Sequence, residues 1–506
     1  MFPKPVTGIR PNSFAFETQP LVKPTGFREY DARWWFGQPD SPIPPELNLM
    51  GVQALGMGIG TLIHERGVRP DIVVGHDYRS YSMSIKLALV AGLMSAGCRV
   101  KDVGLALSPM AYFAQFELDC PAVAMVTASH NENGWTGVKM GTDRPLTFGP
   151  EEITRLKDIV LGGLAQDRAG GSYEYIDGFA ERYIADLANR PKLTRKLKVV
   201  AACGNGTAGA FAPEVLRRVG CEVIELDTEL DHNFPRYNPN PEDLKMLHVL
   251  ADTVRETGAD VGFGFDGDGD RCGVVDNTGR EIFADKVGAI IARDLSASHP
   301  NAKFVVDVKS TGLFRTDPVL LERGVTTDYW KTGHSYMKRR VNEIGALAGF
   351  EKSGHFFFNK PIGRGYDDGI LTALTICGVL DRSPDMTMAE VYDALPHTFG
   401  SPTMSAHCDD EAKYGVVDTV SERFAAMFQA REQVAGHAIV DLVTVNGVRV
   451  VTDDGTWGLV RASSNKPELV VVVESPVSDA RLREMFAAVD GVLRENPGVG
   501  RYNQTI

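Results

Sequence analysis

A chain of 506 residues is too long for one compact domain; at about 150 residues per domain it divides into three or four. Its 53 Lys and Arg against 66 Asp and Glu give a formal charge of −13, which excludes a broad basic surface tracking a nucleic-acid backbone and requires any anionic ligand to be met locally. Hydrophobic residues at 43% and charged residues at 24% fit a soluble globular protein, neither disordered nor fibrous.

The opening residues, MFPKPVTGIRPNSFAF, lack the basic-then-apolar pattern of a secretory signal, and the best apolar run, Leu87 to Gly97, is too short to span a bilayer. Seven widely spaced cysteines without a CxxC pair point to reduced, buried thiols. The expectation is a soluble cytoplasmic protein with no nucleic-acid or membrane partner, a monomer or small homo-oligomer.

A strand, helix, strand, helix, strand, loop order then recurs three times. The first unit predicts a strand at DIVVGH from Asp71, a helix over Ile85 to Ala96, a strand over Val100 to Leu107, a helix over Pro109 to Glu117 and a strand in PAVAMV, which runs into TASHN. AQDRAGGS (Ala165 to Ser172) reads as a linker, and Ile176, Phe179, Tyr183 and Leu187 as the apolar stripe of the next helix. The second unit has strands at LKVVAA, CEVIEL and DVGFGF with helices over Phe211 to Val219 and Pro241 to Thr257, and ends in DGDGDR. After a helix near Asp285 to Asp294, the third has strands at KFVVDV, VTTDYW and ALAGF, a helix reaching Arg323 and another over Tyr336 to Ile344, and ends in EKSGH. Beyond Asp381 the pattern changes to a hairpin turning at Asp453, Asp454 and Gly455 and a closing helix capped by Ser478. The fold class is α/β: three similar layered α/β domains plus a smaller C-terminal α+β domain. The boundaries fall at 1–172 (with 1–25 as an N-terminal extension), 173–282, 283–396 and 397–506.

In layered α/β domains ligands gather where loops leave the carboxyl ends of strands, and all three polar loops fall there. Asp266, Asp268 and Asp270 alternate with glycines directly after a buried strand, a density of hard oxygen ligands that suits Mg²⁺ or Ca²⁺. An EF-hand is excluded, since Arg271 and Asn277 stand where that loop needs Gly and Glu. Arg271 is suited to a phosphate. In TASHN, Ser129 is followed by His130 and Asn131, with Lys139 further on; alone this reads as an ordinary Ser/Asn turn, but if the strand ends face a shared cleft Ser129 ligates the metal or carries a phosphoryl group that does. In EKSGH, Glu351 and Ser353 suit the vicinal diol of a sugar or a plain capping turn. RASSNKP clusters Arg461, Ser463, Ser464, Asn465 and Lys466 as a phosphate cradle, with a solvated basic loop as the alternative.

Together and in this order, the four loops resemble the α-D-phosphohexomutase family from about Gly26 onward, nearest its bacterial phosphomannomutase/phosphoglucomutase branch. GFREYDARW is similar to that family's FRxYDIRG segment, with Ala32 and Trp34 replacing its Ile and Gly. The resemblance implies four domains with mixed sheets around one central cleft, a phosphorylated Ser129, and Mg²⁺ held by Ser129, Asp266, Asp268 and Asp270. It adds Tyr30 and Arg33 to the catalytic set, and implies sugar recognition by Glu351 and Ser353, phosphate recognition by Arg461, Ser463, Ser464 and Asn465, and Lys309, His334 and His355 facing the substrate. It further implies interconversion of hexose 1-phosphate and hexose 6-phosphate, of mannose or glucose, through a hexose 1,6-bisphosphate that also serves as activator. Arg33, Lys139 and Arg271 would steady the phosphoryl oxygens, and His130, Lys139 and His334 are the candidates for proton transfer. Phosphoglucosamine mutase, a metal-dependent sugar phosphatase and a non-catalytic phosphosugar sensor are the alternatives.

Overall fold

The computed structural model describes residues 2–190, 192–464 and 466–506. The chain divides into two compact units, one made of Met1–Ala284 with Ser353–Ala389 and the other of Asp285–Lys352 with Glu390–Ile506.

Two sheets of one design organise the first unit. In the first sheet, the parallel core strands Asp71–His76, Arg99–Leu105 and Ala122–Val126 bury nearly every apolar side chain, as strands covered on both faces must. Trp135–Gly141 then pairs antiparallel with Ala122–Val126, so the TASHN segment is the loop between a parallel strand and its antiparallel return. The second sheet repeats this: Lys198–Ala202 lies parallel to both Glu222–Leu226 and Val261–Phe265, and Cys272–Asp276 returns antiparallel to Val261–Phe265 across the DGDGDR loop. The unit also holds the antiparallel pair Phe356–Phe358 and Tyr366–Asp367, which leads into the helix Gly369–Arg382.

Three elements of this unit differ from expectation. The linker ends in a strand, Ser172–Tyr175, which joins the edge of the first sheet parallel to Arg99–Leu105; its four side chains are exposed, so it carries no apolar alternation to reveal it. The following helix is Phe179–Ala188, leaving Ile176 outside it. The helix Leu49–Glu65 has only a weak signal in the sequence, because Gly51, Gly56, Gly58 and Gly60 lower its helix propensity. Those glycines serve packing: a Cβ at Gly56 would strike the carbonyl of Leu89, and one at Gly92 the carbonyl of Gln53, so Leu49–Glu65 and Ser82–Ser95 pack backbone to backbone. Asn48 caps Leu49–Glu65 through Gly51 N (2.8 Å) and donates to the carbonyls of Phe16 and Gln19, tying down the N-terminal extension.

In the second unit, Lys303–Asp307 lies parallel between Thr326–Trp330 and Ala348–Phe350, the same core in shorter form. The helix expected up to Arg323 is broken into Leu313–Thr316 and Pro318–Glu322, because Asp317 ends one and caps the other through Val319 N and Leu320 N, with Pro318 as the first helical residue. The C-terminal sheet is antiparallel, built on Val448–Thr452, Trp457–Ala462 and Glu468–Ser475 and packed on Lys413–Ala430 and Asp479–Arg494, with Ser478 capping the latter at Arg481 N (3.1 Å). No helix among the described residues is long and apolar enough to cross a membrane.

Candidate active site

The first unit brings the TASHN and DGDGDR loops into contact. Ser129 is 1% exposed and sits in the left-handed region at φ +52°, a conformation a non-glycine residue adopts only when its surroundings impose it. Its Oγ donates to Asp266 Oδ2 at 3.0 Å and lies 3.2 Å from His130 Nδ1. Close approach of the loops requires Gly267, where a Cβ would stand 2.5 Å from the carbonyl oxygen of Ser129.

All three aspartates are fully buried, and each offers an oxygen within 4.8 Å of the others. Lys139, on the return strand, donates to Asp268 Oδ2 at 2.7 Å and also to Asp270 Oδ2. Burial alone would push the Lys139 pKa down, but Asp268 and Asp270 hold it well above the usual lysine value. Burial, with Asp270 and Asp268, pushes the Asp266 pKa well up. Burial acts upward on Asp268 as well, but Lys139 and a hydrogen bond from Ser108 Oγ (2.5 Å) outweigh it and hold that carboxyl low. Asp268 Oδ1 is buried with no hydrogen-bond partner. Three clustered carboxylates, with Asp268 Oδ1 and Asp270 Oδ1 both left without a hydrogen bond, fit a divalent cation of the Mg²⁺ type.

Cations surround this cluster. Arg33, on Ala32–Trp35, donates to Asp31 Oδ2 (3.0 Å) and Asn131 Oδ1 (2.5 Å), which puts it on the Ser129 loop; Tyr30 is buried in the turn before that strand. Arg271 donates through Nε to His355 Nε2 at 2.9 Å and through Nη1 to Glu242. Since a guanidinium can only donate, His355 Nε2 is the accepting nitrogen and Nδ1 carries the proton, 2.9 Å from Asp367 Oδ2 and 3.5 Å from Asp270 Oδ1. Burial, reinforced by Arg271 and Arg33, pushes the His130 pKa well below its ordinary value. Ser353 lies in the turn before His355, in the same unit.

Glu351 and Lys352 belong to the second unit. Glu351 Oε1 accepts from Gly333 N at 2.5 Å, which fixes the start of the helix His334–Glu343 and brings Glu351 together with His334. Lys309 lies 3.8 Å from Asp307, whose carboxylate also takes Ser310 Oγ (2.5 Å) and Thr332 Oγ1 (3.0 Å). In the RASSNKP loop, Arg461 Nη2 donates to Ser464 Oγ at 3.3 Å and Ser463 N to the carbonyl of Glu468; Asn465 lies outside the described residues.

Several residues of these surroundings escape sequence reasoning. Ser108, at the start of the helix Ser108–Glu117, and Asp77 and Arg79, just after the strand Asp71–His76, support the Ser129 and aspartate loops. Lys413 holds the carbonyls of Ser463 (2.6 Å) and Lys466 (3.0 Å), and Arg449, stacked 3.6 Å over Trp457, holds those of Val308 (2.9 Å) and Ser310 (2.6 Å) beside Lys309. Each stands far in sequence from the loop it braces; the only available signal was a charged residue within an apolar run, as in VRVV around Arg449.

A mixed α/β fold that seats a buried serine on the first of three clustered aspartates has the parts of a phosphoryl-transfer site. Four phosphoglucomutase/phosphomannomutase family models match in succession: alpha/beta/alpha domain I over residues 25–166, domain II over 174–279, domain III over 283–399 and the C-terminal domain over 406–492. A phosphomannomutase/phosphoglucomutase of Pseudomonas putida is 36% identical, over 91% of this chain and 93% of the relative. A phosphoglucomutase of Neisseria gonorrhoeae is 32% identical, over 88% of this chain and 92% of the relative. The crystal structure of a phosphoglucomutase/phosphomannomutase family protein from Burkholderia thailandensis matches with a TM-score of 0.84 at 29% identity, covering 96% of this chain and all of that one. The chain belongs to the phosphoglucomutase/phosphomannomutase family.

Proposed function

We propose that this phosphohexomutase interconverts hexose 1-phosphate and hexose 6-phosphate, of mannose, glucose or both, by way of a phosphorylated Ser129 and a hexose 1,6-bisphosphate. The observation that carries the reading is Ser129 Oγ, buried and hydrogen-bonded at 3.0 Å to the first of three metal-competent aspartates. Phosphoserine at 129 gives its phosphoryl group to the free hydroxyl of the sugar phosphate: the Oγ–P bond breaks, a sugar O–P bond forms, and the hydroxyl proton passes by way of His130 or Asp266 to the Ser129 Oγ that is left behind. After the bisphosphate turns over in the site, Ser129 Oγ takes back the other phosphoryl group and gives up its own proton. For that proton, Asp266 Oδ2 and His130 Nδ1 are the two acceptors within hydrogen-bond reach. Mg²⁺ held by Asp266, Asp268, Asp270 and an oxygen at Ser129 would offset charge on the transferring group.

Arg33, Lys139 and Arg271 steady the phosphoryl oxygens, Tyr30 is assigned to the same catalytic set, and Lys139 also neutralises two of the carboxylates. Lys309, His334, Glu351, Ser353 and His355 are assigned to the sugar and its neighbourhood, and Arg461, Ser463, Ser464 and Asn465 to the distal phosphate. We assign these loops to domains 1–172, 173–282, 283–396 and 397–506. The seven buried, unbridged cysteines support a reducing, cytoplasmic setting.

The testing experiment is a coupled assay presenting glucose 1-phosphate, mannose 1-phosphate and glucosamine 1-phosphate separately, with Mg²⁺ and a trace of bisphosphate. Turnover of the glucose or mannose ester is expected. A preference for the glucosamine ester, or release of inorganic phosphate alone, overturns the reading.

A further inference from the structure

We propose that Arg79 is a positioning residue for phosphoryl transfer, holding the Ser129 loop in its left-handed turn while the segment that bears it braces the aspartate loop; this rests on the function proposed above. The Arg79 side chain is 1% exposed. Its Nη2 donates to two carbonyls of the serine loop, Ser129 O at 3.0 Å and Asn131 O at 2.6 Å, and its Nη1 donates to Asp77 Oδ2. Ser129 alone in that loop has a positive φ among its non-glycine residues, and its carbonyl is one of the two that Arg79 grips.

The anchor is itself fixed. Asp77 Oδ1 accepts from Ser82 Oγ (2.5 Å) and Arg79 N (3.2 Å), and Asp77 N donates to the carbonyl of Val126 (3.0 Å), the last residue of the strand that leads into the loop. The guanidinium also faces the ring of Phe234 at 5.6 Å. On the other side, Tyr78 N donates to Thr207 Oγ1 (3.0 Å), and Thr207 N donates to the carbonyl of Gly267 (3.2 Å), between the first two aspartates. Residues 77–79 therefore connect by hydrogen bonds to both of the loops that meet at the Ser129–Asp266 contact. A planar fork is needed to reach two carbonyls and a carboxylate at once, and a lysine with one nitrogen cannot reproduce it. Nη1 and Nη2 are both taken up by oxygens of the protein itself, so the role is to set where Oγ stands, and displacement of a reacting atom by about 1 Å costs about 10²-fold in rate.

The test compares Arg79→Lys and Arg79→Gln with wild type, reading kcat, KM, the rate of Ser129 phosphorylation by hexose 1,6-bisphosphate, and the thermal midpoint. Arg79→Lys keeps a cation beside Asp77, so it tests the geometry if Arg79→Gln folds poorly. The expected result is a fall of about 10²-fold in kcat and in the phosphorylation rate, with KM within about threefold of wild type and the Arg79→Lys midpoint little changed. Wild-type kcat in a folded variant overturns the proposal, as does a loss of kcat that only follows the loss of folded protein. A wild-type protein with neither phosphoserine nor turnover overturns the proposed function along with it, whereas a working wild type matched by its variants overturns the role of Arg79 alone.

Discussion

The molecule buries two charged clusters of opposite character. In the second unit, Glu474 is 4% exposed and its two oxygens meet five donors: Lys286 Nζ (2.7 Å), Thr398 Oγ1 (3.1 Å), Thr311 Oγ1 (3.0 Å), Gly312 N (2.8 Å) and Trp457 Nε1 (3.1 Å). Charge and hydrogen bonds balance, as a structural ion pair needs if it is to survive burial. In the first unit, three equally buried aspartates crowd within 4.8 Å, only two of them share Lys139, and Asp268 Oδ1 is left without a hydrogen bond. The contrast separates structure from function: a satisfied cluster needs nothing more, whereas one with surplus negative charge and an orphaned acceptor is built for a cation and for an anion that the cation brings.

Breaking the reactive cluster at its nucleophile has the largest expected effect. Ser129→Ala removes the only oxygen proposed to carry the phosphoryl group, so turnover should fall below detection while sugar-phosphate binding, followed by calorimetry, stays near wild type; full activity in this variant contradicts the mechanism. Next, Asp268→Asn should lower turnover by about 10²–10³-fold, the scale of losing one preorganised charge, and should shift the Mg²⁺ titration to higher concentration. An unchanged titration counts against these aspartates as the metal site.

The balanced cluster should answer differently. Glu474→Gln leaves Lys286 uncompensated and should cost about 3–5 kcal/mol of stability in denaturant unfolding. Burial pushes the Glu474 pKa up, but Lys286 and Gly312 N more than reverse this and bring it to about 2, below its ordinary 4.5. A carboxyl lowered on folding stabilises above its unfolded pKa and ceases to do so as pH falls through the folded one. The stability gap between wild type and Glu474→Gln should therefore be full at neutral pH and shrink as pH falls from about 4.5 towards 2; a pH-independent gap removes the ion-pair explanation. Smallest in effect, Arg461→Ala should raise the substrate KM by about 10–100-fold, the worth of a charge-assisted hydrogen bond, with kcat less affected.

The reactive cluster was legible in the sequence and the balanced one was not. Ser129 and Asp266 each follow an apolar strand at its carboxyl end, so local pattern and loop chemistry pointed to the same places. Glu474 and Lys286, by contrast, are 188 positions apart, and Arg79 reaches Ser129 across 50; their meaning arises only when the sheets assemble. The helix Leu49–Glu65 escaped for a related reason, since its glycines weaken the local helix signal in exchange for a close crossing with Ser82–Ser95. Strand Ser172–Tyr175 had no buried face to announce it.

The central claim is that Ser129 carries the phosphoryl group between enzyme and sugar. Intact-protein and peptide mass spectrometry after incubation with glucose 1,6-bisphosphate, followed by a chase with glucose 1-phosphate or mannose 1-phosphate, tests it most directly. The expected result is one phosphoryl group on Ser129 that is passed to the sugar phosphate and is absent from Ser129→Ala. No phosphoryl group at Ser129, or one that is lost only to water, contradicts it.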